Sequence, residues 1–135
     1  MKVLVIDDSK FQCLALRRVL GRAGHEVIIA GDGEEGLRAA RETRPELILL
    51  DMLLPKLSGI DVLRRLKEKP DDGPPVIVLT GLSEKNSEKL IEAGASGFFQ
   101  KSAAFLDGNC HRLVSLVAQI SRQKRVNGAS QQVAN

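Results

Sequence analysis

Asp7-Asp8, Asp51, Thr80 and Lys101 are the residues of this sequence whose types and places could do chemistry together. Each follows a short apolar run: Val3-Leu4-Val5-Ile6, Leu47-Ile48-Leu49-Leu50, Val76-Ile77-Val78-Leu79 and Gly97-Phe98-Phe99-Gln100, in that order. Short continuous apolar runs, rich in β-branched residues, suit strands covered on both faces. In a parallel sheet the carboxyl ends of such strands share one edge, and that edge is where α/β sheets bind ligands. Three carboxylates gathered there repel one another unless a cation sits among them. Oxygen ligands with access to water suit Mg2+, which completes its shell with phosphate and water. A hydroxyl and an ammonium facing the same point supply what phosphoryl oxygens require. Taken singly, each residue has an ordinary use at a strand end or helix cap. The set carries the inference.

The elements that must position these residues alternate along the chain. Ser9 to Ala23 carries Ala15, Leu16, Val19, Leu20 and Ala23 at helical spacing, and Gly24 stands where a helix would close. Val27 to Ala30 reads as a second strand, and Glu34 to Thr43 as a short helix with Leu37 and Ala40 inward, ended by Pro45 through Arg44. After Asp51 a loop with Pro55 and Gly59 leads to a helix with Ile60, Leu63 and Leu66 on one face. Pro70 to Pro75 is a loop. The next helix is predicted from about Ser83 to Ala93, with Ser83-Glu84 at its start. The last carries Leu113, Val114, Val117 and Ile120. Five βα units predict a doubly wound, five-stranded parallel sheet with helices on both faces. One domain is expected over residues 1–121, with 122–135 as a polar tail or linker.

Composition narrows the classes further. A chain of 135 residues with 43% hydrophobic and 27% charged residues is sized for one core. No apolar run approaches the roughly 18 residues of a membrane helix, and Val3 to Ile6 is too short for a signal peptide. No membrane partner is expected, and a cytoplasmic place is. Cys13 and Cys110 lack the spacing of a metal site or a disulfide framework. A net charge of +3 is mild, and four Phe with no Trp or Tyr leave no stacking surface for single strands. Direct nucleic-acid binding by this domain is therefore not expected.

Over about residues 1 to 121 the chain resembles the receiver domain of bacterial two-component response regulators. The matching pieces are Val3-Leu4-Val5-Ile6-Asp7-Asp8, the stretch from Asp51 through Pro55 to Gly59, Val78-Leu79-Thr80-Gly81, and Gly94-Ala95-Ser96-Gly97-Phe98 through Lys101. The resemblance implies a flavodoxin-like strand order 2-1-3-4-5. It implies Asp51 as the phosphoacceptor for a phosphohistidine of a sensor histidine kinase or phosphotransfer protein. Asp7, Asp8 and Asp51, with the Leu53 carbonyl, are the implied Mg2+ ligands. Thr80, Gly81 and Lys101 are implied at the phosphoryl group, with Thr80 and Phe98 as the switch pair. The fourth helix, fifth strand and fifth helix form the implied output face, for a downstream protein target or for an output domain beyond this chain. The activity implied is the domain's own phosphoryl transfer and slow dephosphorylation, with no other enzymatic reaction.

Three departures from the family's usual pattern involve four residues. Ser102 stands where proline is usual after the lysine, Phe98 where a tyrosine is common, and Leu53 and Leu82 are apolar where some members carry polar side chains. The last pair offers no hydrogen bond to a hydrolytic water, so slow loss of the aspartyl phosphate is expected. A pseudo-receiver, the same fold used for interaction without phosphorylation, is the alternative. Other motifs point elsewhere and fail. Gly31-Asp32-Gly33-Glu34-Glu35-Gly36 is a literal G-x-G-x-x-G, but its acids would repel a pyrophosphate and it follows the second strand. An aspartate-nucleophile phosphatase needs acids one residue apart, and Asp7-Asp8 are adjacent. His25 and His111 have no metal partners in reach.

Overall fold

β1 (Lys2–Ile6), α1 (Lys10–Arg22), β2 (Glu26–Ala30), α2 (Gly33–Thr43), β3 (Leu47–Asp51), α3 (Gly59–Leu66), β4 (Val76–Thr80), α4 (Ser87–Glu92), β5 (Gly97–Gln100) and α5 (His111–Ala134) follow one another in strict alternation. The computed structural model describes residues 1–68, 73–80, 87–100 and 111–134, the side chains of 87, 100 and 123–134 excepted. The expected roles of Gly81, Leu82, Ser83-Glu84, Lys101, Ser102 and Cys110, and the start of the Pro70 loop, lie outside the described residues.

The strands form one parallel sheet in the order β2-β1-β3-β4-β5. Alternate side chains leave opposite faces of each strand, so the apolar runs feed two cores. Val3, Val5, Leu47, Leu49, Ile77 and Leu79 meet Cys13, Leu16 and Leu20 of α1 and Leu113, Val117 and Ile120 of α5. Leu4, Ile6, Ile48, Leu50, Val76 and Val78 meet Val62 and Leu63 of α3 and Leu90 of α4. Burial on both faces is why these runs are continuous rather than alternating. Each fully buried Leu or Ile contributes about 2 kcal/mol.

Register then fixes the functional edge. Ile6 pairs with Leu50, so Asp7 follows beside Asp51. Asp51 itself pairs with Leu79, one residue short of Thr80. The helices that follow β1, β2 and β3 start at this edge, and among the described residues side chains cap these three. Ser9 Oγ accepts from the Gln12 N–H at 3.3 Å, Asp32 Oδ1 from the Glu35 N–H at 2.8 Å, and Ser58 Oγ from the Asp61 N–H at 3.3 Å. These caps satisfy donors that the first helical turn leaves open.

Two expectations need revision. On α3 the fully buried residues are Val62 and Leu63, while Ile60 and Leu66 are only half-buried. The helix leans on α2 as well as on the sheet, and Val62 lies against Gly33. The last helix is longer than its apolar pattern shows: it runs to Ala134, and the last buried residue among its described side chains is Ile120. That residue rests on the sheet at Gly97, where an added Cβ would lie 2.8 Å from Ile120 Cδ1. The ends of α1, α2 and the strands agree closely with the sequence pattern, and Arg44 leaves helical geometry at φ 49 just before Pro45.

Candidate functional site

Asp7 is the first residue past β1, Asp8 the second, Asp51 the last of β3 and Thr80 the last of β4. Asp7, Asp51 and Thr80 are buried at 1%, 5% and 3% exposure, whereas Asp8 is open to solvent. One carboxylate oxygen from each of the three aspartates lies within 4.8 Å of the other two. Like charges at that spacing repel one another, the more so where two of them are removed from water.

Backbone donors hold the buried pair in place. The Ser9 N–H donates to Asp7 Oδ1 at 2.9 Å, and the Leu53 N–H to Asp51 Oδ1 at 3.2 Å. Hydrogen bonds of this kind fix the orientation of each carboxylate. Below them the Cys13 thiol donates to the Asp7 carbonyl at 3.3 Å. Burial first, and then the Asp7 carboxylate, push that thiol up to about 11. It stays protonated at neutral pH and acts as a small buried donor, not as a nucleophile or metal ligand.

The chemistry of this donor set decides which group fits it. Three hard carboxylate oxygens, one of them at the solvent edge, suit a divalent cation that keeps part of its shell for water or phosphate. Cys13, the cysteine among the described residues, is protonated and offers a soft metal no thiolate here.

The loop from Met52 to Ser58 closes the site on one side. Its base is pinned by the Gly59 N–H, which donates to the Met52 carbonyl at 3.1 Å. A Cβ on Gly59 would lie 2.6 Å from the Asp51 carbonyl oxygen and from Met52 Cα. Only a residue without a side chain allows this approach. Leu53 stands 75% exposed on the loop.

The sequence-predicted residues thus divide into groups. Asp7, Asp8 and Asp51 come together, Thr80 ends the neighbouring strand, and Phe98 is half-buried on β5 beside the core that faces α3 and α4. Gly81 and Lys101 lie outside the described residues. The glycine-rich turn is used for packing: a Cβ at Gly33 would lie 2.7 Å from Val62 Cγ2, and one at Gly36 would lie 2.6 Å from Ile6 Cδ1. These glycines let α2 settle on its neighbours. Ser9 and Cys13 also build the site and were not singled out for it, whereas Gly59 entered only as part of the matching stretch. The Ser9-x-x-Gln12 spacing of a capping box was the available signal for Ser9.

Comparison with known proteins bears on the same residues. A family model described as the response regulator receiver domain matches residues 3–107. The chain is 34% identical over 135 residues to the alkaline phosphatase synthesis transcriptional regulatory protein PhoP of Bacillus subtilis, covering 99% of this chain and 54% of that one. It is 39% identical over 101 residues to the DNA-binding response regulator MtrA of Mycobacterium tuberculosis, covering 74% of this chain and 43% of the relative. The chain therefore spans about half the length of the curated relatives it matches. Among solved structures, the receiver domain of the Francisella response regulator 1452 superposes with a TM-score of 0.79 at 28% identity, covering 91% of this chain and 98% of that one. The response regulator domain of Thermotoga maritima CheB gives 0.79 at 26% identity, covering 90% and 96%.

Proposed function

The chain belongs to the response regulator receiver family, and from that premise we propose that Asp51 is its phosphoacceptor and that phosphorylation there sets the state of the α4–β5–α5 face. The donor is a phosphohistidine on a sensor histidine kinase or phosphotransfer protein. One Asp51 carboxylate oxygen attacks phosphorus while the phosphorus–nitrogen bond breaks and the imidazole leaves. The observation that carries this reading is the meeting of Asp7, Asp8 and Asp51 oxygens within 4.8 Å at the carboxyl edge of the sheet.

Asp7, Asp8 and Asp51, with the Leu53 carbonyl, would hold Mg2+, which when bound supplies the positive charge that offsets both the crowded carboxylates and the phosphoryl oxygens. The Leu53 N–H keeps the Asp51 carboxylate oriented through Oδ1. Thr80 and Lys101 hold phosphoryl oxygens, with the Gly81 backbone beside them. Movement of Thr80 toward the phosphoryl group frees volume into which Phe98 turns. The chain turns over no substrate apart from its own phosphoryl group, and it acts in the cytoplasm. Its output passes to a protein target or to a further domain. No helix among the described residues is long and apolar enough to cross a membrane.

Acetyl phosphate with Mg2+ tests the assignment by intact-mass spectrometry. One phosphoryl group is expected on the parent, and none on Asp51→Asn or after removal of the cation. Persistent labelling of the Asn variant would mean that another residue accepts the group.

A further inference from the structure

The Gly31–Gly36 turn carries none of the proposed cation or phosphoryl ligands, yet it touches the loop after Asp51 at two points. A Cβ built on Gly33 would lie 2.9 Å from Leu57 Cβ as well as 2.7 Å from Val62 Cγ2. Leu57 therefore rests on a bare backbone. Beside it, Asp32 Oδ2 lies 3.8 Å from Lys56 Nζ, while Oδ1 of the same carboxylate caps α2. The residues so held form an unusual turn. The Leu57 N–H donates to the Pro55 carbonyl at 2.8 Å across Lys56, whose φ is +69°. A γ-turn of this hand is rare and strained, and such a conformation persists only where its surroundings over-determine it. Gly59 pins the loop at its base, and α2 presses on it from outside.

We propose that Gly33 and Asp32 are positioning residues for the acceptor site. By seating Leu57 and holding Lys56, they keep the β3–α3 loop in the strained form that lays the Leu53 N–H on the Asp51 carboxylate. The same loop carries the Leu53 carbonyl, so the start of α2 sets cation affinity without touching the cation. The cation arm of this inference rests on the function proposed above, and the loop arm does not.

Two readings on the 135-residue chain test it: the Leu53 amide resonance, measured without metal, and the Mg2+ dissociation constant from calorimetry. Gly33→Ala is expected to displace the Leu53 resonance and to weaken Mg2+ about tenfold. Adding Val62→Ala removes the nearer clash, lets the new methyl move off Leu57, and should return both readings toward the parent. Asp32→Ser keeps a capping oxygen but loses the charge, and should weaken Mg2+ about twofold. A Gly33→Ala chain that melts earlier but keeps the parental Leu53 resonance and Mg2+ affinity has only lost packing, and overturns the proposal. Should that variant not fold, Asp32→Ser decides: both readings unchanged would overturn it equally. A parent chain that binds no Mg2+ through Asp8 would count against the proposed function alone, because the Leu53 resonance still reports the seating.

Discussion

The two ends of the sheet treat charge in opposite ways. At the amino end, cations meet neutral acceptors: the Met1 ammonium lies 3.2 Å from His25 Nδ1, Lys2 Nζ donates to the Thr43 carbonyl at 3.1 Å, and Lys67 Nζ donates to the Pro74 carbonyl at 3.0 Å. At the carboxyl end, three carboxylates crowd within 4.8 Å, two of them buried. The first end consists of contacts that simply favour the fold. The second gathers like charges that a chain selected for stability alone would spread apart, and backbone N–H groups hold them there. Helix starts at this edge add partial positive charge, which eases the crowding without removing it. Among the described residues, this crowding of carboxylates at one edge is the costly arrangement on which the proposed acceptor site rests.

The comparison breaks most sharply at Asp8, the acid of the three that faces solvent. Asp8→Ala should lower Mg2+ affinity by about tenfold or more, as followed by calorimetry. It should also raise the melting temperature of the metal-free chain, because one of three repelling charges is gone. Unchanged affinity would place the cation elsewhere. A lower melting temperature would refute the claim that this edge is held at a cost.

Gly59→Ala comes next, and it tests packing at the same edge rather than charge. Its Cβ would meet the backbone of Asp51 and Met52, which cannot swing aside as a flexible side chain can. A loss of about 2–3 kcal/mol is expected by chemical denaturation. A variant as stable as the parent would show that the loop has room to retreat.

The smallest effect belongs to the amino end. Burial first, and then the Met1 ammonium, hold the His25 pKa below its ordinary 6.5, with Glu46 opposing them weakly. The unfolded chain thus binds a proton more readily than the folded one. Stability is unaffected above about pH 6.5, falls as pH drops below it, and levels once pH passes the folded value. His25→Asn should flatten this slope in thermal melts between pH 7 and 5. An unchanged slope would assign the acid sensitivity to the carboxylates instead.

Much of this was legible in the residues. Four-residue apolar runs such as Leu47 to Leu50 announce strands buried on both faces, and once their order is known Asp7 and Asp51 must be neighbours. Caps at Ser9, Asp32 and Ser58 follow local rules and involve only nearby backbone. What was hidden depends on contacts between distant segments. Ile60 and Leu66 fit a helical stripe as well as Val62 does, and only the approach of α2 decides among them. No local pattern pairs Gly33 with Leu57, or Asp32 with Lys56. The length of α5 was obscured for another reason: past Ile120 its sequence is mostly polar, and Val126, Ala129 and Val133 make too sparse a stripe to announce a helix.

That long helix has a mechanical consequence. From Ile120 to Ala134 it extends about 21 Å at the usual rise per residue. Its base is clamped where Ile120 bears on Gly97, one residue before Phe98 on β5. A stiff rod pivoted at such a fulcrum is a lever. A tilt of about 5° at the pivot carries the far end through about 2 Å, while Ile120 itself scarcely moves. A rearrangement around Phe98 too small to alter the packing of the sheet would thus arrive at Ala134 as a displacement the size of an atom.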